Sequence, residues 1–228
     1  MPLVRALIGV RVQHPERIPA TGAFIFTPNH YTDVDPLVTG LALWKSHRIP
    51  RFLAKDSMFR APVLGSLMRV TGQIPVARET GGSSALAAAA KVNAEQAAVL
   101  IYPEGTLTRD PDLWPMRGKW GAARLALQTG VPVIPAAHWG AQRILPRWSK
   151  RLRLLPRTTV PVLVGEPVDL SPWAGKPLDA ETLTAATAAI MQAITVLVEE
   201  LRGEKAPPER WDPAAHGQSE FGRPSVES

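Results

Sequence analysis

One short stretch, Asn29-His30-Tyr31-Thr32-Asp33-Val34-Asp35, gathers an imidazole and two carboxylates directly after the apolar run Ala23-Phe24-Ile25-Phe26 and directly before Pro36. An imidazole whose tautomer is fixed by a carboxylate keeps its other nitrogen free as a general base, a role worth about 10²–10⁴-fold in rate. His30 and Asp35 stand five positions apart, which at about 100° per residue splays them around a regular helix. They meet only in an irregular turn. Pro36 favours one, since proline suits the first helical position and Asp35 before it is then the N-cap. On these residues alone the other reading stays open: Asp35 only a cap, His30 a loop histidine satisfied by backbone.

Short apolar runs alternating with helix-like stretches predict an α/β domain with a mainly parallel or mixed central sheet flanked by helices. The strands expected are Phe24–Thr27, Arg51–Ala54, Gln73–Val76, Val99–Tyr102, Val133–Ala137 and Val160–Val164. Pro36–Trp44, Ala61–Val70, Ser84–Ala98 and Lys119–Thr129 read as helices, with Ser83 or Ser84 as a cap and Gly130 as a stop. In such a sheet ligands collect beyond the carboxyl ends of the strands. His30, Arg78, Glu104-Gly105-Thr106 and His138 all fall at such ends, which makes one edge the candidate site.

The chain has 228 residues and no cysteine. Disulfides, thiolate metal sites and a cysteine nucleophile are therefore excluded together. The N-terminus MPLVRALIGVRV is interrupted by Arg5 and Arg11, so it lacks a signal-peptide core and reads over 1–12 as an interfacial membrane segment or as the first element of the domain. A spanning helix needs roughly 20 mostly apolar residues; Leu183–Val198 carries Thr184, Thr187, Gln192 and Thr195 and reads as a buried helix. The domain is expected over 1–202, with a Pro-rich, disordered tail over 203–228.

Net charge is +6, concentrated before the tail. Arg143, Arg147, Lys150, Arg151, Arg153 and Arg157 crowd one segment without an acid and with Trp148 among them. That composition suits either a solvated face or attraction to an anionic membrane surface or phosphorylated substrate. No nucleic-acid motif accompanies the charge, so nucleic acid is not an expected partner.

Four motifs in order carry a resemblance: His30-Tyr31-Thr32-Asp33-Val34-Asp35 in H-x4-D form, Gly72-Gln73-Ile74-Pro75-Val76-Ala77-Arg78, Tyr102-Pro103-Glu104-Gly105-Thr106, and Val131-Pro132-Val133-Ile134-Pro135. Over about Phe24–Ala137 the chain resembles the glycerolipid acyltransferase family typified by 1-acyl-sn-glycerol-3-phosphate acyltransferase. The resemblance implies acyl transfer from a thioester to the hydroxyl of lysophosphatidate, with glycerol 3-phosphate or another lysolipid as the alternative acceptor. It makes His30 the base, Asp35 its orienter, Arg78 the phosphate ligand, and Glu104, Gly105 and Thr106 acceptor-binding; Lys55 is a further candidate for the phosphate cluster. The donor implied is acyl-CoA or acyl carrier protein, with no cofactor or metal, in a cytoplasmic enzyme held peripherally on the inner face of the cell membrane. The chain departs from the family at Thr32 in place of a serine, Ala77 in place of an acid, and Leu107 in place of an arginine, for which Arg109 is the candidate substitute.

Rival chemistries fare worse on the same residues. A metal-dependent phosphohydrolase on His30, Asp33 and Asp35 needs further ligands, and His14, His47 and His216 have no partnering motif; metal analysis separates this case. A serine hydrolase needs G-x-S-x-G, and Gly81-Gly82-Ser83-Ser84-Ala85 fails at its last position. A non-catalytic membrane-surface module explains the basic segment but does not require H-x4-D and E-G-T together.

Overall fold

The computed structural model describes residues 8–55, 59–70, 72–76 and 91–219. The strands are β1 (Ile8–Gln13), β2 (Phe24–Pro28), β3 (Pro50–Lys55), β4 (Ile74–Val76), β5 (Ala98–Leu100), β6 (Val133–His138) and β7 (Thr158–Val164); the principal helices are α1 (Asp35–Lys45), α2 (Pro62–Val70), α3 (Gly121–Thr129) and α4 (Ala180–Arg202). They build one sheet in the order β1-β7-β6-β2-β5-β3-β4. All neighbouring pairs are parallel except β6 with β7, which run antiparallel with Ala136 opposite Val164 and His138 opposite Val162. The expected α/β fold with a mixed sheet is the observed one.

β2 lies at the centre of the sheet, and all five of its residues are buried. An unbroken apolar run is what a strand covered on both faces requires. Ile25, with Val99 and Val133, packs among Ala122 and Leu125 of α3 and Ile190, Ile194 and Val198 of α4. Phe24 and Phe26 pack in a second cluster with Leu43, Leu100 and Ile134. α4 is, among the described residues, the helix long and apolar enough to cross a membrane. Its Leu183, Ala186, Ile190, Ile194 and Val198 are fully buried in the protein instead, as expected for a core helix. Asp179 caps its start through Thr182 N–H at 2.9 Å, and Gly203 at φ 68° ends it.

Two expectations change, and one open reading is resolved. Residues 8–12 are the first element of the domain, most of β1: Ile8, Gly9 and Val10 are buried and Arg11 is exposed. Residues 1–7 lie outside the described residues. The stretch expected as a helix to Ala98 is helical at 91–94, and Ala98 already belongs to β5; 84–90 lie outside the described residues. The tail is not disordered from Gly203: Ala206 N–H bonds Glu199, Arg117 N–H bonds the carbonyl of Trp211, and Trp211 stacks on His216 at 3.5 Å. Residues 220–228 lie outside the described residues.

Candidate active site

The carboxyl ends of β2, β5 and β6 open on one edge of the sheet, and three loops converge there. The turn after β2 closes on Asp35. Its Oδ2 accepts the backbone N–H groups of Tyr31 at 2.7 Å and Thr32 at 2.8 Å, and its Oδ1 accepts the Thr32 hydroxyl at 2.8 Å. Asp35 is therefore not the helix cap expected from Pro36. The N-cap position falls on Val34 without a side-chain cap, and the Asp35 carboxylate turns back to fold the loop it follows. The same Oδ2 meets His30 Nδ1 at 3.0 Å. The five-residue spacing works because the intervening chain is wound around the carboxylate.

Asp35 is completely buried, and burial alone would raise its pKa. The neighbouring imidazoles and the Thr32 N–H more than offset this and hold it below the usual carboxylate range. His138 cannot supply much of that effect as a cation, because its own burial lowers its pKa and keeps it neutral. The convergent hydrogen bonds suffice. An ionised Asp35 makes His30 Nδ1 the donor and leaves Nε2 able to take a proton; among the described residues nothing hydrogen-bonds Nε2. The imidazole is further fixed by stacking on Tyr102, with ring centroids 3.9 Å apart and planes at 21°. Tyr102 Oη lies 2.8 Å from Thr39 Oγ1, whose one proton goes to the Asp35 carbonyl at 2.8 Å, so the tyrosine is the donor.

The loop after β5 is tied to the same turn. Gly105 N–H returns to the Tyr102 carbonyl, and Gly105 takes φ +72°, which favours glycine; a Cβ there would also press on the Lys119 stem at 3.0 Å. Glu104 points inward and is completely buried. Its Oε1 accepts His30 N–H at 2.8 Å and its Oε2 accepts Met116 N–H at 3.1 Å. Burial pushes its pKa up to about 8 against the lowering pull of those two donors. In this structure both Glu104 oxygens are taken up by the backbone of the His30 turn and of Met116, while Gly105 is exposed and Thr106 half-buried at the surface of the loop.

The end of β6 supports the turn from beneath. Asn29 and His138 exchange two hydrogen bonds at 3.1 and 2.9 Å, and His138 Nε2 donates to the Asn29 carbonyl at 3.2 Å. Its Nδ1 then accepts the Tyr31 hydroxyl at 3.1 Å. His138 is thus a satisfied strand-end histidine, and it holds Asn29, the residue before His30.

Other expected residues separate clearly. Asp33 is exposed and Asp35 buried, so the two carboxylates of the turn do not share a ligand. Among the described residues no three His, Asp or Glu side chains form a metal-holding group. Thr32 performs through its hydroxyl the bond to Asp35 that a serine there would make. Arg109 is buried, 5.9 Å from the Trp148 ring, and Leu107 is buried with it. Lys55 ends β3 opposite Val76, its side chain outside the described residues, as is Arg78. Tyr102, Thr39 and Asn29 are the positioning residues that sequence reasoning missed. Tyr102 directly precedes Pro103-Glu104-Gly105-Thr106, the one local signal for any of them.

The family model described as Acyltransferase matches residues 9–139. The chain is 30% identical over 195 residues to 1-acyl-sn-glycerol-3-phosphate acyltransferase of Bacillus subtilis (strain 168), covering 85% of this chain and 90% of that protein. It is 31% identical over 160 residues to the chloroplastic 1-acyl-sn-glycerol-3-phosphate acyltransferase BAT2 of Brassica napus, covering 69% of this chain but 44% of the plant protein. Less than half the length of that plant relative is spanned. In three dimensions the fold is similar to the 1-acyl-sn-glycerophosphate (LPA) acyltransferase PlsC from Thermotoga maritima, with a TM-score of 0.63 at 24% identity, over 89% of this chain and 78% of that one.

Proposed function

Because the chain belongs to the acyltransferase family, we propose that it moves a fatty acyl group from an acyl thioester to the free hydroxyl of lysophosphatidate, forming phosphatidate. The observation that carries this reading is the 3.0 Å contact between His30 Nδ1 and a buried, backbone-held Asp35. A base so oriented fits one proton transfer from a neutral nucleophile.

The acceptor hydroxyl oxygen attacks the thioester carbonyl as His30 Nε2 takes its proton. A C–O bond forms and the carbonyl electron pair moves to oxygen; the accessible backbone at Thr106 offers an N–H group for such an oxyanion, the Gly105 N–H being held by the Tyr102 carbonyl. The intermediate collapses with loss of the C–S bond, and the departing thiolate receives the proton from the imidazolium. Asp35 stabilises that imidazolium without being protonated. The thiol leaves as coenzyme A or as the prosthetic thiol of acyl carrier protein, so the reaction consumes no oxidant and needs no resident cofactor.

Arg78 is assigned the acceptor phosphate, on the family resemblance of its motif and on the fit of a guanidinium to a phosphate. Lys55 is assigned to the same cluster. The lipid acceptor places the enzyme at a membrane, and we assign it to the cytoplasmic face as a peripheral protein. Purified enzyme should be offered acyl-CoA and acyl carrier protein donors against lysophosphatidate, glycerol 3-phosphate and lysophosphatidylcholine, with products identified by mass. Phosphatidate from lysophosphatidate is the expected product; transfer to glycerol 3-phosphate in its place would move the enzyme one acylation earlier, and no acylated product from any pair would end the reading.

A further inference from the structure

The antiparallel strand β7 changes what lies beside the active site. Because His138 at the end of β6 is opposite Val162, the start of β7 at Thr158 extends past His138, onto the edge where the His30 turn sits. Ile8, the start of β1, is opposite Thr158 on that same edge. The loop between β6 and β7 therefore belongs to the catalytic edge. It is also fastened to it: Arg147 Nη1 donates to the carbonyls of Thr108 at 2.7 Å and Asp110 at 2.6 Å, and Thr108 N–H donates to the His30 carbonyl at 2.7 Å. Two hydrogen-bonded steps separate the loop from the catalytic histidine.

The outer side of this loop has an unusual composition. Arg143, Lys150, Arg151, Arg153 and Arg157 are exposed, and no acidic residue occurs from 143 to 157. Leu152 is 55% and Leu155 83% exposed, in the same short segment as the charges. Isolated surface leucines need no explanation. Two within four residues, lying between Arg151 and Arg157, put apolar side chains and cations on one exposed segment, the combination of insertion and attraction that an anionic lipid interface favours. Arg143, Arg153, Arg157, Leu155 and Thr159 also line a groove of about 400 Å³, where a phosphate would meet three guanidinium groups. The loop keeps its shape without a ligand, since Arg153 N–H bonds the Ile144 carbonyl at 2.7 Å and Leu154 packs inward on the core.

We propose that residues 143–157 form a bilayer-docking surface, seated on anionic lipid with Leu152 and Leu155 in the headgroup boundary and a lipid phosphate in the arginine groove. Docking there turns the His30 edge towards the membrane. The purpose of the surface rests on the acyl-transfer reading, since the acceptor is then a lipid held in that bilayer; the binding itself does not. The partner is a lipid surface rather than an acidic protein because the charges are interleaved with exposed leucines, and apolar insertion adds to attraction only at a bilayer.

The absence of native cysteine allows a direct test on the full chain. Leu155→Cys and, in the loop before α4, Lys176→Cys each receive one environment-sensitive fluorophore. On vesicles of phosphatidylcholine with phosphatidylglycerol, the label at 155 shifts to the blue and the label at 176 does not; pure phosphatidylcholine gives neither shift, and raised salt reverses the first. In flotation, the combined Arg143→Gln, Arg153→Gln, Arg157→Gln variant partitions about a hundredfold more weakly, on roughly fivefold per surface charge. Equal shifts at both labels, a shift produced by acidic acyl carrier protein and not by vesicles, or unchanged partition of a folded triple variant would each overturn the proposal. The labelled proteins retain all three arginines, so misfolding of the triple variant leaves the test intact. Acyl transfer to a short-chain, monomeric lysophosphatidate is measured alongside. Its loss in wild-type protein that still docks would sink the reaction and leave the surface; its presence in protein that does not dock would do the reverse.

Discussion

The backbone N–H of His30 ends on Oε1 of Glu104, 2.8 Å away, although the two residues are 74 positions apart. The loop after β5 thereby grips the turn after β2 through the main chain of His30, while the Thr108 N–H bond to the His30 carbonyl at 2.7 Å closes the grip from the other side. His30 is thus held at its backbone by one loop and at its ring by Asp35 and Tyr102. Swinging the ring away from Asp35 breaks a part-buried hydrogen bond to a carboxylate, which costs about 1–3 kcal/mol.

A pH dependence of stability follows from Glu104. Its pKa is raised by burial from 4.5 to about 8 in the folded protein, so between these values the folded state binds more proton than the unfolded one. Stability is fully present below about pH 4.5 and falls as pH rises through about 8, by roughly 5 kcal/mol as an upper bound. Glu104→Gln, neutral at every pH, should remove this descent. Urea unfolding at pH 5, 7 and 8.5 measures both proteins, and parallel curves would show that Glu104 titrates normally.

The active-site motif and the centre of the sheet were legible because each has a local cause. β2 is buried on both faces and so is written as an unbroken apolar run, and H-x4-D is complete within one turn. The grip on that turn was not legible, because Glu104, Tyr102 and His138 reach it through sheet neighbours rather than chain neighbours, and nothing local tells an inward carboxylate from an outward one. β1 was obscured by Arg11, which is an outward residue of an edge strand and also what an interfacial helix would display. The segment 204–219 lacks an apolar period since single bonds and the Trp211–His216 stack hold it, not a hydrophobic face. The antiparallel turn of β7 depends on which strand it joins, and no residue within Thr158–Val164 encodes that.

Arg78→Ala should act on the acceptor. Loss of a charge-assisted phosphate contact raises KM for lysophosphatidate by about tenfold or more and lowers kcat where the contact also positions the hydroxyl. KM for the acyl donor should stay within about twofold. Initial rates with each substrate varied in turn provide the check, and unchanged acceptor kinetics in folded protein would remove Arg78 from the site.

Tyr102 offers a separation of ring from hydroxyl. Tyr102→Phe retains the stack under His30 and gives up only the bond to Thr39, so kcat should fall by less than about fivefold, the scale of one hydrogen bond. Tyr102→Ala frees the imidazole from its platform and should lower kcat about a hundredfold, since misplacement of a catalytic group by about 1 Å costs that much. Equal effects of the two changes would place the contribution in the hydroxyl.

The dyad itself is tested at Asp35, where the geometry allows a clean substitution. Asparagine can put its carbonyl oxygen where Oδ2 accepts from His30, Tyr31 and Thr32, and its amide where Oδ1 meets the Thr32 hydroxyl, which can accept instead of donate. Asp35→Asn therefore folds, whereas Asp35→Ala leaves buried N–H groups without an acceptor and loses stability. What asparagine cannot do is stabilise an imidazolium, so kcat should drop by about 10³–10⁴-fold with little change in KM. His30→Ala should remove transfer to a similar or greater extent while donor binding stays measurable, because thioester recognition does not require the base. Asp33→Ala is the internal control: this carboxylate is exposed and outside the hydrogen bonds of the turn, and its loss should change kcat by less than about threefold. Near-normal turnover by a folded Asp35→Asn enzyme would leave Asp35 as the organiser of the turn alone, and the base would then have to work without an anionic partner.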